Sequence, residues 1–304
     1  MNGILCIDKP AGFTSFDVIA KLRGMLKMRR LGHAGTLDPM ATGVLPVFVG
    51  YATKACGILP NEDKIYVADF QLGQVSNTQD STGSILETHD FSDIVTKEQI
   101  QTVCPQGDIM QIPPMYSAVS VGGKRLYELA REGKEIERQA RPVKIIEMHC
   151  QEYCPETGKG VLTVFCGKGT YVRTLIHDMG QSLGCGAVMT GLRRVSASGF
   201  SLAESFTLEQ VQKFVDEGKA ELLLMPIEKA FSSLPEINLN PKQTVHYRNG
   251  VKMSLSQFQE QLTGDNRYAV YGTPDGFLGT ALADSENDLL RIERNLCEPG
   301  GAVS

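Results

Sequence analysis

The feature that most constrains this chain is a run of small residues at positions 32–43, which reads Gly-His-Ala-Gly-Thr-Leu-Asp-Pro-Met-Ala-Thr-Gly. A continuous apolar run follows at positions 44–49 and predicts a buried strand. Glycine allows positive φ and close approach of a second backbone or a ligand. Asp38 is the one carboxylate of the run, and Pro39 favours an extended backbone at it. We therefore predict a loop, fixed on the core, that presents a single acid in one direction.

The residues alone leave two interpretations of this loop open. Gly, Pro and Asp are the ordinary residues of turns, so Asp38 is in the plainer interpretation a turn residue that bonds the nearby backbone. In the other interpretation Asp38 is a functional acid, held by a loop whose other side chains are too small to do chemistry.

Composition limits the class of protein. A chain of 304 residues with 42% hydrophobic residues accommodates one large domain and a small one. No apolar run approaches the ~18–20 residues of a membrane span, and Asp8 and Lys9 interrupt the start where a signal peptide is apolar. We expect a cytoplasmic protein with no membrane association and with reduced cysteines. Cys150 and Cys154, beside His149, have no second ligand pair after them, so no metal site is predicted.

Side chains that can accept a hydrogen bond from a backbone N–H group indicate where helices begin. Thr14 or Ser15 is expected to cap a helix, and Thr170 is expected to cap another. Thr207 and Gln210 have the spacing of a capping box before a third helix.

The wording of residues 32–43 closely resembles the active-site motif of the TruB-type pseudouridine synthases. Four further segments resemble motifs of that family, in the family's order. They are Lys9-Pro10 with Gly12, Thr14 and Ser15; Lys64-Ile65-Tyr66; Pro113-Pro114-Met115-Tyr116-Ser117-Ala118 with the segment after it; and Gly169-Thr170-Tyr171-Val172-Arg173. The segment Gly191-Leu192-Arg193-Arg194 to Phe200 resembles the family's last catalytic-domain motif. Ser120 departs from the pattern, because the commonest wording there is Lys.

The resemblance implies an α+β, pseudouridine-synthase fold: a central mixed, mainly antiparallel sheet flanked by helices, plus a small β-rich C-terminal module. Residues 1–234 are expected to form the catalytic domain, with a thumb-like insertion at about 105–145. Residues 235–304 are expected to form a small RNA-binding-type C-terminal domain.

The resemblance also implies the activity. We expect an isomerase that converts a uridine in the T-arm loop of tRNA, at position 55, to pseudouridine. Such an enzyme extrudes the nucleotide, cleaves the glycosidic bond in a step that depends on Asp38, and re-forms it through carbon. No electrons are exchanged, so no cofactor is implied. The implied partner is the T-arm stem-loop of tRNA, with no obligate protein partner.

The family's pattern assigns one residue to each role in this reaction. Asp38 is the expected catalytic residue, and Arg173 is expected to pair with it and keep it ionised by lowering its pKa. Tyr66 and Leu192 are expected to hold the uracil ring between them. His33 is expected to fill the gap that the extruded base leaves in the RNA.

Basic residues beside these motifs are candidate phosphate contacts. They are Arg29, Arg30, Lys124, Arg125, Arg193 and Arg194. A net charge of −5 is not typical of a nucleic-acid binder, but local basic stripes decide the footprint. The plainer alternative is a favourable charge at a helix C-terminus for the first two and an ordinary solvated surface for the next two. Lys9 and Pro10 are expected to support the active-site loop structurally.

Two other functions fit part of the pattern. An RNA-binding module or tRNA chaperone with this fold but no chemistry would not need Asp38, which is present. A glycoside hydrolase would use Asp38 together with a second carboxylate as general acid. None of the motif segments contains that second acid.

Overall fold

The protein is described by a computed structural model that covers residues 1–91, 95–117, 119–258, 261–262 and 266–297. The helices are α1 Ser15–Leu26, α2 Lys97–Val103, α3 Leu126–Arg131, α4 Val172–Ser182, α5 Leu208–Asp216 and α6 Pro241–Arg248. The first strands are β1 Gly3–Lys9, β2 Leu31–His33, β3 Thr42–Val49, β4 Lys64–Leu72, β5 Gln74–Ser76, β6 Ile85–Thr88, β7 Gly107–Gln111, β8 Ser120–Val121 and β9 Lys124–Arg125. The remaining strands are β10 Arg141–Cys154, β11 Lys159–Cys166, β12 Ala187–Ala197, β13 Phe200–Ser201, β14 Glu236–Leu239, β15 Arg267–Gly272, β16 Gly276–Asp284 and β17 Leu289–Asn295.

The central sheet of the described chain has nine strands. Seven follow the order β1-β3-β12-β4-β11-β10-β7, while β2 pairs with β3 and β13 pairs with β12. Every pair is antiparallel except β3 with β12. The mixed, mainly antiparallel sheet flanked by helices was expected from the sequence, and the structure confirms it.

Strand β3 shows why its sequence is apolar without alternation. Leu45 and Val47 pack with α1 and α5 on one face of the sheet. Val44 and Phe48 pack in a different cluster on the other face. A strand covered on both faces needs apolar residues at every position. The loop before it is therefore anchored to the middle of the core.

The predicted helix starts are right at two positions and wrong at one. Thr14 and Asp17 form a capping box at α1, and Thr207 with Gln210 forms another at α5. The N-cap of α4 is Tyr171, not Thr170. The hydroxyl of Thr170 donates instead to the carbonyl of Gly167, at 3.0 Å.

The segment that leaves the sheet is shorter than the expected insertion at 105–145. Strand β7 pairs with the start of β10 from Arg141↔Gln111 to Ile145↔Gly107, so both ends of that range belong to the central sheet. The excursion is residues 112–140, which we call the thumb. It contains the β8–β9 hairpin and the short helix α3. Ala118, the last residue of the Pro-Pro motif, lies outside the described residues.

The C-terminal residues form a second, four-stranded sheet in the order β14-β15-β16-β17. Ile237, Tyr247 and Val270 belong to its own hydrophobic cluster. It packs on the larger part of the molecule through Phe277, whose ring stacks on Phe231 at 5.6 Å between centroids. The expected small β-rich module is therefore present, although residues 298–304 lie outside the described chain and the boundary at 234/235 stays a prediction.

None of the helices in the described ranges is long and apolar enough to cross a membrane.

Candidate active site

The predicted catalytic and substrate-binding residues converge on one cleft, with a volume of about 1520 Å³. Its walls come from segments far apart in sequence. They include His33 and Asp38 of the loop, Tyr66 of β4, residues 77–84, Arg173 of α4 and Leu192 of β12. The sheet brings these segments together because β4 and β12 are neighbours in its middle.

The loop that carries Asp38 is fixed by its neighbours. The N–H of Gly12 donates to the carbonyl of Pro39 at 2.9 Å. The N–H of Leu37 donates to the buried hydroxyl of Ser15, also at 2.9 Å. The Asp38 side chain itself is 36% exposed and faces the cleft. The loop thus presents one carboxylate from a rigid backbone.

Lys9 supports the same loop from beneath. Its side chain is fully buried, and its ammonium donates to the carbonyls of Pro10 at 2.9 Å, Phe13 at 2.6 Å and Pro39 at 3.3 Å. Burial lowers the pKa of Lys9 to about 8. Lys9 thus contacts the loop through Pro39, and the supporting role of Lys9 and Pro10 stays a prediction.

Arg173 lies between two carboxylates. Its Nη2 is 3.3 Å from Oδ2 of Asp38, and its Nη1 is 3.7 Å from Oδ2 of Asp80. Nη2 also donates to the carbonyl of Tyr116, in the thumb, at 2.5 Å. The guanidinium is buried, with 6% of the side chain exposed. The expected contact between Arg173 and Asp38 is therefore confirmed.

Asp80 is an acid of the site that no sequence motif indicated. Its side chain is buried, and its Oδ1 accepts hydrogen bonds from Thr78 Oγ1 at 2.7 Å, from Thr82 N at 2.9 Å and from Thr82 Oγ1 at 2.6 Å. The N–H of Ser81 donates to the carbonyl of Met189, which docks this loop on β12. The Thr-x-Asp-x-Thr pattern was the one local signal, and it is ordinary for a turn.

The pKa of Asp38 is raised above its usual value, although Arg173 lowers it as expected. Burial is the largest cause, because the cleft floor solvates the charged form poorly. Arg173 and Lys9 oppose this effect, and the negative charge of Asp80 adds to it. The arginine thus limits the rise in the pKa without reversing it.

Tyr66 and Leu192 lie on neighbouring strands and both line the cleft. In the pairing of β4 with β12, Leu192 lies opposite Ala68 and Arg194 lies opposite Tyr66. The hydrogen bonds between these two strands therefore fix Tyr66 and Leu192 relative to each other. His33 lines the cleft as well, and its Nδ1 has no hydrogen-bond partner among the described residues. Burial lowers the pKa of His33, which keeps its ring neutral near pH 7.

The prediction that Arg194 contacts a phosphate is wrong. Its side chain is fully buried, with Nε donating to the carbonyl of Val44 at 2.7 Å and Nη2 to that of Gly35 at 2.9 Å. Its place on β12, beside β3, turns it towards the loop and away from solvent. Arg194 therefore ties together the two ends of the active-site loop.

The other basic candidates are accessible. Arg193 is 44% exposed and pairs with Asp8 at 2.8 Å. Arg29 and Arg30 are exposed, and the Arg30 guanidinium lies 4.8 Å from the centre of the Tyr51 ring. Lys124 and Arg125 are exposed on β9, and Arg125 also lines the cleft.

The fold and the cleft define the chain as a pseudouridine synthase, and comparison with known families agrees. Residues 23–172 match the model "TruB family pseudouridylate synthase (N terminal domain)". Residues 173–232 match "tRNA pseudouridylate synthase B C-terminal domain". The chain belongs to the TruB family of tRNA pseudouridine synthases, which are isomerases.

Curated relatives cover nearly the whole chain. The tRNA pseudouridine synthase B of Clostridium kluyveri is 40% identical over 283 residues, which span 93% of this chain and 96% of that protein. The tRNA pseudouridine synthase B of Haemophilus influenzae is 37% identical over 299 residues, which span 97% of this chain and 95% of that protein.

Solved structures share the fold. The crystal structure of a Cbf5-Nop10-Gar1 complex matches with a TM-score of 0.74 at 25% identity, over 97% of this chain and 85% of that chain. The structure of an H/ACA RNP bound to a substrate RNA containing 2'-deoxyuridine matches with a TM-score of 0.73 at 22% identity, over 98% of this chain and 86% of that chain. The second likeness supports the fold alone.

Proposed function

We propose that this enzyme isomerises the uridine at position 55, in the T-arm loop of tRNA, to pseudouridine. The observation that carries the proposal is the Asp38–Arg173 pair at 3.3 Å on the floor of the cleft. In this pair an accessible carboxylate faces the cleft and contacts a buried cation, which supports a role of Asp38 in the reaction. The relatives named as tRNA pseudouridine synthases support the substrate class, and the match of the loop motif supports the position.

In this proposal the target uridine leaves the RNA stack before it reacts. Unstacking costs a few kcal/mol, and contacts in the pocket offset this cost. Tyr66 and Leu192 hold the uracil ring between an aromatic and an aliphatic wall. His33, at the cleft wall and neutral, occupies the gap that the base leaves in the RNA.

The proposed reaction breaks the bond between N1 and C1′ and forms one between C5 and C1′. The C5 proton is released and N1 gains a proton, so the product is an isomer of uridine and no redox step is needed. Asp38 acts in its ionised form, as nucleophile or as charge stabiliser and base. Arg173 orients that carboxylate and favours its charged form. Asp80 holds Arg173 in place, so it acts as a positioning residue.

The surroundings of Asp80 also argue against glycoside hydrolysis. A hydrolase needs a second carboxylic acid that can give its proton to the leaving group. Asp80 contacts Arg173 beside Asp38, but its Oδ1 already accepts three hydrogen bonds and its Oδ2 faces Arg173. The arrangement suits an ion-pair partner better than a proton donor.

The test is to map the product on an unmodified tRNA transcript. We expect pseudouridine at position 55, and no product on a transcript with cytidine at that position. Pseudouridine formed only at another uridine would overturn the proposed target. Release of free uracil with no pseudouridine would overturn the proposed reaction in favour of hydrolysis.

A further inference from the structure

We propose that Phe16 is a stacking platform for an unpaired tRNA base at the rim of the active-site cleft. The proposal extends the proposed function, because it assumes that the target nucleotide enters the Asp38 cleft. It adds a binding subsite outside the residues that surround the target base.

Phe16 is unusual in its exposure and its position. The ring is 64% exposed, whereas Val18, Ile19 and Leu22 of the same helix are buried. It therefore contributes little to the core. Single exposed apolar residues are common on protein surfaces, so exposure alone indicates no site. Phe16 differs from such residues because it also lines the cleft that contains Asp38.

The backbone fixes Phe16 relative to Asp38. The side chain of Ser15 is buried, and its hydroxyl accepts from the N–H of Leu37 at 2.9 Å and donates to the Leu37 carbonyl at 3.3 Å. Phe16 and Asp38 each follow these bonded residues by one Cα–Cα step of about 3.8 Å. The capping box of Thr14 and Asp17 holds the same turn of α1. A base stacked on Phe16 is thus held at a set position relative to the reacting nucleotide.

The charge beside the ring identifies the kind of occupant. The guanidinium of Arg23 lies 5.8 Å from the centre of the Phe16 ring. Within the described ranges the structure gives Arg23 no carboxylate partner. An exposed aromatic ring with an unneutralised cation is the combination that single-stranded nucleic acid binds, through base stacking and phosphate attraction. Because the family's substrate is tRNA, the occupant is an unpaired base of that RNA.

The first test compares substitutions at Phe16 for tRNA affinity and turnover. Stacking predicts that Phe16→Ala raises the tRNA Kd and KM about tenfold, while kcat changes little, because the ring does not touch the reacting atoms. Phe16→Tyr should retain wild-type affinity for tRNA. Phe16→Leu should bind tRNA almost as weakly as Phe16→Ala, because leucine has no flat ring on which a base can stack. Leu222→Ala is the matched control, since Leu222 is 73% exposed but does not line the cleft.

The second test uses the absence of tryptophan from the sequence. Phe16→Trp creates a single indole, whose fluorescence should be quenched by an RNA stem-loop of the T-arm. Leu222→Trp should show no quenching. A series of stem-loops, each with one abasic loop nucleotide, then locates the stacked base. At that nucleotide the abasic change and Phe16→Ala should be non-additive in a double-mutant cycle.

A Kd for Phe16→Ala within twofold of wild type would overturn the proposal. Wild-type affinity in Phe16→Leu would overturn stacking, since it would show that an apolar contact suffices. Both results leave the proposed function standing as long as wild type makes pseudouridine at position 55. Conversely, a failure to modify that position would not affect the binding readouts.

Discussion

At the scale of single residues, Arg173 connects three parts of the site. It contacts Asp38, the carboxylate of Asp80 and the carbonyl of Tyr116 in the thumb. Its charge is buried, so it requires these partners. One cation therefore contacts Asp38, the polar loop that carries Asp80 and the start of the thumb.

The raised pKa of Asp38 predicts how activity depends on pH. If catalysis needs the ionised carboxylate, the single-turnover rate falls as the pH drops through the pKa of Asp38. This acidic limb of the pH–rate profile should lie above pH 3.8, the usual pKa of an aspartate. Arg173→Gln removes a charge that lowers the pKa, so its limb should move to higher pH, and its plateau rate should also fall. Single-turnover rates between about pH 4.5 and pH 8 measure both effects. A limb that stays in place or moves to lower pH would contradict this account.

The positions of individual site residues were predictable from the sequence only where a motif carried them. The resemblance placed Asp38, Tyr66, Arg173 and Leu192 in one site, and the structure brings all four to one cleft. It did not indicate Asp80, because that acid lies in a polar segment and enters the site through docking on β12. It misassigned Arg194, since two adjacent arginines on a strand face opposite sides and the sequence does not say which is buried.

At the scale of elements, the active-site loop is held from four sides. Ser15 of α1, Lys9 of β1 and Arg194 of β12 bind its backbone, and β3 continues from its end. Gly43 is required where the loop meets β12, because its φ is +102° and a Cβ there would overlap the carbonyl oxygen of Arg194. The small residues of the loop thus serve close packing as well as access to Asp38.

The thumb, residues 112–140, is predicted to be mobile without RNA. It contains a hairpin with two residues in each strand and a six-residue helix, and half of its residues with described burial are exposed. Few buried contacts mean a low free energy of local opening. Hydrogen exchange on the free protein should show fast exchange there, and protection should increase when tRNA binds. Protection in the free protein equal to that of β3 would refute the prediction.

Arg29 and Arg30 are predicted to contact phosphates. They are exposed just after α1, and each phosphate neutralised adds about 0.7–0.9 to the slope of log K against log salt. The double change to Ala should therefore flatten that slope by roughly one to two units. Lys159→Ala is the control, because Lys159 is also an exposed cation. It lies where β11 begins, opposite Gln71 of β4, at the end of the sheet away from Arg29 and Arg30. An unchanged slope in the double variant would exclude both contacts.

At the scale of the whole molecule, the fold was predictable where the chain is periodic and less so at its junctions. Strand β3 follows from its apolar run, and helices α1 and α5 begin at their predicted caps. The predicted bounds of the thumb, about 105–145, are wider than the segment that leaves the sheet. The reason is that β7 and the start of β10 pair with each other across a long excursion. That pairing is non-local, and no nearby residue signals it.

Binding of tRNA and the chemical step are expected to depend on different parts of the molecule. Binding of tRNA is expected to depend on a wide surface, whereas the proposed chemistry requires the Asp38 carboxylate. Asp38→Asn should therefore retain tRNA affinity. It should also keep the free energy of unfolding near the wild-type value at neutral pH. The raised pKa means that the ionised Asp38 costs stability as pH rises through that pKa, while Asp80 still partners Arg173 in the variant.

The most direct test of the central claim is turnover and tRNA affinity measured on the same purified Asp38→Asn protein. The account predicts a Kd within about twofold of wild type and a rate of pseudouridine formation reduced at least 10⁴-fold, on the order of what removal of an essential catalytic group costs. A rate within tenfold of wild type, on protein that binds tRNA normally, would show that Asp38 is a structural turn residue and would contradict the account.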